Sequence, residues 1–113
     1  MKRIDIINMF RTLGKIKLNK IEDRVLRNSL ISNHLKMFKI AKENDEYVIA
    51  LREQFDPDAV KDFSEAYQKY ADQIVDIDLS KVNRESFGDM IAAGDIDLTL
   101  GELIYLEPLF ESN

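Results

Sequence analysis

A chain of 113 residues with a net charge of −5, 45% hydrophobic and 33% charged, has the length of one domain and the composition of a globular protein. It can build one modest core but no deep cleft between domains. Cysteine is absent, which excludes disulfides, thiolate zinc sites and cysteine nucleophiles and fits a reducing compartment. No run approaches the ~20 apolar residues of a membrane span, and the basic start leads into an apolar stretch broken by Asn8, so a cytoplasmic protein without membrane contact is expected.

The charge is divided along the chain. Residues 1–42 carry eleven Lys and Arg against Asp5, Glu22 and Asp23, a balance of +8; the remainder carries five basic and eighteen acidic residues, a balance of −13. Such an asymmetry points to a partner surface, either outside the chain or within it.

Ile4, Ile7, Phe10 and Leu13 recur at helical spacing and predict a first helix that Gly14 stops. Lys15-Ile16-Lys17-Leu18 alternates and reads as a short extended link. A long helix is predicted from about Asn19 to Phe55, with Asn19 as cap and Glu22 at capping-box spacing. Its apolar positions run from Ile21, Val25 and Leu26 through Leu30, Leu35 and Phe38 to Val48, Leu51 and Phe55. They thin out at Lys42-Glu43-Asn44-Asp45-Glu46. With neither Gly nor Pro between Asn19 and Gln54, continuity is expected. At 1.5 Å per residue this helix would be roughly 50 Å long, more than a compact domain of this size is wide.

Asp56-Pro57 is read as the cap and first position of a third helix running to about Gln73, with Val60, Phe63, Tyr67, Tyr70 and Ile74 as its apolar stripe. So short a connection predicts an antiparallel hairpin with the long helix. Ile74–Leu79 alternates as a half-buried strand would. Asn83 opens a short helix that Gly94 ends, and Asp95-Ile96-Asp97-Leu98 repeats the tetrapeptide at 76–79. Thr99 and Glu102 form a capping box for a last helix ending near Pro108. The fold expected is mainly α and a single domain, residues 1–113: an N-terminal element (1–18), a long helix in an antiparallel hairpin (19–73), and a small C-terminal α+β cap with two short extended segments (74–113).

The order of these elements resembles a family of small phage and prophage proteins of unknown function. The resemblance rests on the Lys-rich entry into the long helix (Lys15–Leu35), the aromatic-bearing stretch around Tyr47–Arg52 within Glu46–Phe55, the acidic-apolar alternation of Ile74–Val82 and the closing stretch Leu98–Phe110. It implies a mobile-element origin and brings no catalytic residues.

Few residues offer chemistry. His34 is the only histidine, and its i±3 and i±4 neighbours, Leu30, Ile31, Met37 and Phe38, include no carboxylate to orient it as a base. Asp76, Asp78, Asp95 and Asp97 would make an oxygen-ligand cluster for Mg²⁺ or Ca²⁺ if their segments paired. They also fit the solvated side of two alternating segments, and Asp opposite Asp disfavours pairing. Asp78 and Lys81 have the wrong parity to share one face of a strand, as a nuclease site would require. Gly14, Gly88, Gly94 and Gly101 are too scattered for a phosphate loop. No catalytic, cofactor-binding or metal-binding residue is therefore assigned, and no cofactor is expected.

Two binding surfaces remain. Lys17, Lys20, Arg24 and Arg27 fall three to four apart, a candidate basic face for phosphates or an acidic protein surface. Leu26, Leu30, Val48 and Leu51 on the long helix are expected to lack full cover in a single chain and to form a self-association stripe. The function expected is protein–protein interaction or assembly without catalysis, with a homodimer as the simplest form. Nucleic-acid binding through the basic third is the alternative.

Overall fold

The computed structural model describes residues 1–112; Asn113, the last residue of the expected cap, lies outside them. The chain is mainly helical: α1 (Arg3–Leu13), α2 (Arg24–Gln54), α3 (Val60–Ala71), α4 (Arg84–Ala93) and α5 (Leu100–Tyr105), with 3₁₀ turns at Leu18–Lys20 and Glu107–Leu109.

Helix α1 buries Ile6, Ile7, Met9 and Leu13, more of its surface than one helical stripe, because it is covered on more than one side. The Gly14 amide closes it on the Phe10 carbonyl at 3.0 Å. The link after it is not extended. Residues 14–20 turn tightly and bury Ile16 and Leu18.

Helix α2 is unbroken through Lys42–Glu46 over 31 residues, about 46 Å at 1.5 Å per residue, and it sets the long dimension of a body 48 × 27 × 24 Å in extent. Its cap is Asp23, whose carboxylate accepts from the Leu26 amide at 3.1 Å, and not Asn19, which the preceding 3₁₀ turn absorbs. The polar run does not weaken the helix because its inner residues have partners. Asn44 is buried and accepts from the Tyr67 hydroxyl at 3.0 Å. Glu43 lies 3.7 Å from the Arg3 guanidinium, which itself sits over the Tyr70 ring.

Helix α3 begins later than Asp56-Pro57 predicts. Asp56 to Ala59 form a turn, the Ala59 amide donating to the Asp56 carbonyl at 2.9 Å. Proline suits the second position of such a turn as well as it suits a first helical turn. α3 meets α2 through stacked Tyr47 and Tyr70 rings, 3.8 Å between centroids, and through Arg52 over Phe63. The ends of its predicted stripe are exposed, Val60 at 65% and Ile74 at 74%.

Ile74 forms only an isolated antiparallel bridge with Lys2. The Val75 amide donates to the Met1 carbonyl at 2.7 Å and the Arg3 amide to the Gln73 carbonyl at 3.0 Å. The alternation is real without a sheet: Val75, Ile77 and Leu79 pack on the core while Asp76 and Asp78 are exposed. Among the described residues there is no strand, so the β component expected of the C-terminal part is corrected to extended chain. What holds that chain is Asn33 of α2. It is fully buried, donates to the Ser80 carbonyl at 2.8 Å and accepts from the Ser80 amide at 2.7 Å, replacing the strand neighbour those groups lack.

The remaining chain follows the predicted signals closely. Asn83 caps α4, and Thr99 and Glu102 form the complete capping box of α5. Val82, Phe87, Leu106, Leu109 and Phe110 join Ile6, Met9, Leu13, Leu26, Leu30 and Met37 in one buried cluster. Phe87 meets Phe110 edge-on at 5.1 Å, a favoured aromatic geometry. A parallel bridge from Val82 to Phe110 fastens the last residues to the cluster.

Candidate interaction surface

The expected self-association stripe is core. Leu30 is 0% exposed, Leu26 3% and Leu51 5%, and Val48 is half-buried. The expectation that these four lack cover fails, for Leu26 and Leu30 because they join the cluster that α1 and residues 82–110 build on α2.

Apart from Val25 near its start, 77% exposed, the large apolar groups that α2 leaves uncovered lie on another side of it. Leu35 is 67% exposed, Phe38 53% and Ile49 59%. Phe38 leans toward Phe10 at 6.0 Å between centroids, and Phe10 stacks on His34 at 4.5 Å and 11° between planes. The result is an aromatic and aliphatic surface shared by α1 and α2. Leu35 and Phe38 stand among the apolar recurrences of the sequence, interleaved with the core stripe, while Ile49 falls outside them. Separating the recurrences into two phases, near 26/30/33/37 and 35/38/49, was the signal available in the sequence.

His34 belongs to this surface as a packing residue. Its Nε2 is buried without a hydrogen-bond partner. Burial holds its pKa below 6.5, partly offset by the Phe10 backbone nearby.

The four basic candidates do not share a helical face. Lys17 and Lys20 stand in the 3₁₀ turn and its approach, while Arg24 and Arg27 belong to the first turn of α2. Arg27 spends its guanidinium on the Ile21 carbonyl at 3.0 Å, bracing the entry to the helix. Lys17 and Lys20 line a groove of about 750 Å³ between residues 15–23 and the end of α4, together with Lys15 and with Glu22, Asp23, Asp89, Asp95 and Asp97. Five carboxylates against three ammonium groups repel a polyanion entering there. The basic third is also partly matched within the chain: Lys2 pairs with Asp72, Arg3 with Glu43 and Lys15 with Glu102.

The aspartates of the two repeated tetrapeptides are exposed. Among the described residues no three carboxylate or imidazole groups gather in a way that could hold a metal ion. No helix among them is long and apolar enough to cross a membrane. No family model, curated protein or solved structure matches the chain.

Proposed function

We propose that this chain is a non-catalytic interaction or assembly protein that binds another protein, or a second copy of itself, through the outer face of α2. The observation that carries the reading is the exposure of Leu35, Phe38 and Ile49 on a helix whose other side is already buried. A helix that has completed its own core and still presents large apolar groups has surface to spend on a partner. In this reading α2 and α3 work as one antiparallel hairpin, supported by the contacts of Phe63 with Arg52 and Tyr70 with Tyr47, and residues 74–112 brace it. A mobile-element setting rests on the outline resemblance to the phage-type family. Nucleic-acid binding has less support, because carboxylates outnumber ammonium groups in the groove holding Lys17 and Lys20 and Arg27 is already engaged.

A photo-crosslinking side chain placed at Leu35 or Ile49, in cells that express the protein, tests this. The expected result is a covalent protein adduct from those positions and none from Val25, which is 77% exposed but lies on a different side of α2. Absence of protein adducts at the α2 face, with salt-sensitive nucleic-acid binding that tracks Lys17, Lys20 and Arg24, would overturn the reading.

A further inference from the structure

The exposed face of α2 has a seven-residue pattern. Leu35, Phe38, Lys42, Asp45, Ile49 and Arg52 follow one another at alternating intervals of three and four, the spacing of the seam of a two-stranded coiled coil. Leu35, Phe38 and Ile49 are uncovered apolar groups; Lys42, Asp45 and Arg52 are exposed as well. Two of the seam's central positions are thus oppositely charged, and apolar residues lie on either side of them.

From this we infer that the partner of this face is a second copy of the chain, lying antiparallel along α2 with the two-fold axis between Glu43 and Asn44; the inference rests on the interaction reading above and names its occupant. In that register Phe38 of one copy meets Ile49 of the other, Lys42 meets Asp45, and the apolar stem of Arg52 covers Leu35. Each layer then occurs twice by symmetry, as a two-fold interface demands.

The alternatives are excluded by charge. A parallel pair in register sets Lys42 on Lys42 and Asp45 on Asp45. Sliding the antiparallel pair by one heptad one way opposes Lys42 to Arg52; sliding it the other way opposes Phe38 to Lys42 and Leu35 to Asp45. Like charges in contact, or the stemless carboxylate of Asp45 facing Ile49 or Leu35, cost enough to select against these arrangements, whereas the long apolar stem of Arg52 can cover Leu35 with its charge in water. One register alone satisfies both the charged and the apolar layers. It also gives a use to the polar interruption Lys42–Glu46: two of its residues carry the pairing specificity outward, while Glu43 and Asn44 serve the chain's own packing inward.

Charge-swap complementation tests the register. Sedimentation equilibrium of the full chain at about 100 µM should report a dimer. Lys42→Asp and Asp45→Lys should each weaken self-association at least about tenfold, by opposing two like pairs, with melting temperatures of the dilute monomers unchanged. Mixed together, the two variants restore both ion pairs and should form a heterodimer about as tight as the original. A role of either residue in monomer folding would not produce that recovery. Because the chain has no cysteine, Lys42→Cys and Asp45→Cys chains should also form a disulfide when mixed and little when oxidised separately. A monomeric chain at that concentration, no recovery on mixing, or a Lys42→Cys chain that crosslinks efficiently to itself would overturn the inference. Photo-crosslinking of the same face to a different protein, with the chain monomeric, would overturn it too while leaving the broader interaction reading intact.

Discussion

Replacing Asn33 by Leu should cost this protein more stability than most single changes outside its apolar core. Asn33 is completely buried and makes two hydrogen bonds to the backbone of Ser80, at 2.8 and 2.7 Å. Leucine has the same number and branching of heavy atoms, so no cavity opens, and its bulkier methyl groups add strain of their own. What changes is that a peptide donor and a peptide acceptor lose their partner. Each bond contributes about 0.5–1.5 kcal/mol net, and a peptide group left without a partner in a buried place adds about 1–3 kcal/mol. Ser80 is only half-buried, so water recovers part of the second cost, and a total of about 2–4 kcal/mol is expected. That is a large share of the roughly 5–15 kcal/mol that holds a domain together. Urea unfolding should show the midpoint falling with an unchanged slope, and hydrogen exchange should show the Ser80 amide losing protection. Asn33→Asp retains the acceptor but sets a carboxylate against the Ser80 carbonyl, so it should be destabilising as well. If Asn33→Leu costs under about 0.5 kcal/mol and the Ser80 amide stays protected, the clamp does not hold the 74–82 segment and the energetic reasoning is wrong.

The two faces of α2 should separate in a matched pair of truncations: Leu30→Ala, in the core, should lose about 2–5 kcal/mol, whereas Leu35→Ala should stay within about 0.5 kcal/mol for the dilute chain and act only on association. Equal losses in urea melts at low concentration would contradict the burial assigned to them. Burial lowers the His34 pKa from 6.5, so the unfolded chain takes up this proton first. Stability is complete above about pH 6.5 and falls as the pH drops below it. Melts at pH 7.5 and 5.5 should show that loss, reduced in His34→Phe; an identical loss in the variant would remove His34 as its source. Thr99→Ala deletes half of the capping box and should cost about 0.5–2 kcal/mol, with amide exchange rising first across α5.

The helices and their stops were legible because they depend on near neighbours. Gly14, Asn83 with Gly94, and Thr99 with Glu102 act within one helical turn, and the continuity of α2 through Lys42–Glu46 followed from the absence of any breaker. Rival local signals misplaced two starts: Asn19 and Asp23 are both competent caps, and Asp56-Pro57 fits a turn as well as a helix. Which apolar positions would be covered was not legible, because cover comes from distant chain. The burial of Leu26 and Leu30 depends on α1 and on residues 82–110 returning to α2, and periodicity within α2 separates two apolar phases without telling which of them meets those elements and which meets solvent. For the same reason alternating residues 74–79 looked like a strand. The sequence sets which side chains face inward, while only the tertiary structure supplies the neighbour for the backbone groups, and at Ser80 that neighbour is the side chain of Asn33. The composition by itself excluded thiol chemistry. Which apolar residues stay exposed was decided by packing, since an apolar residue remains at the surface only where the chain's own core has left it uncovered.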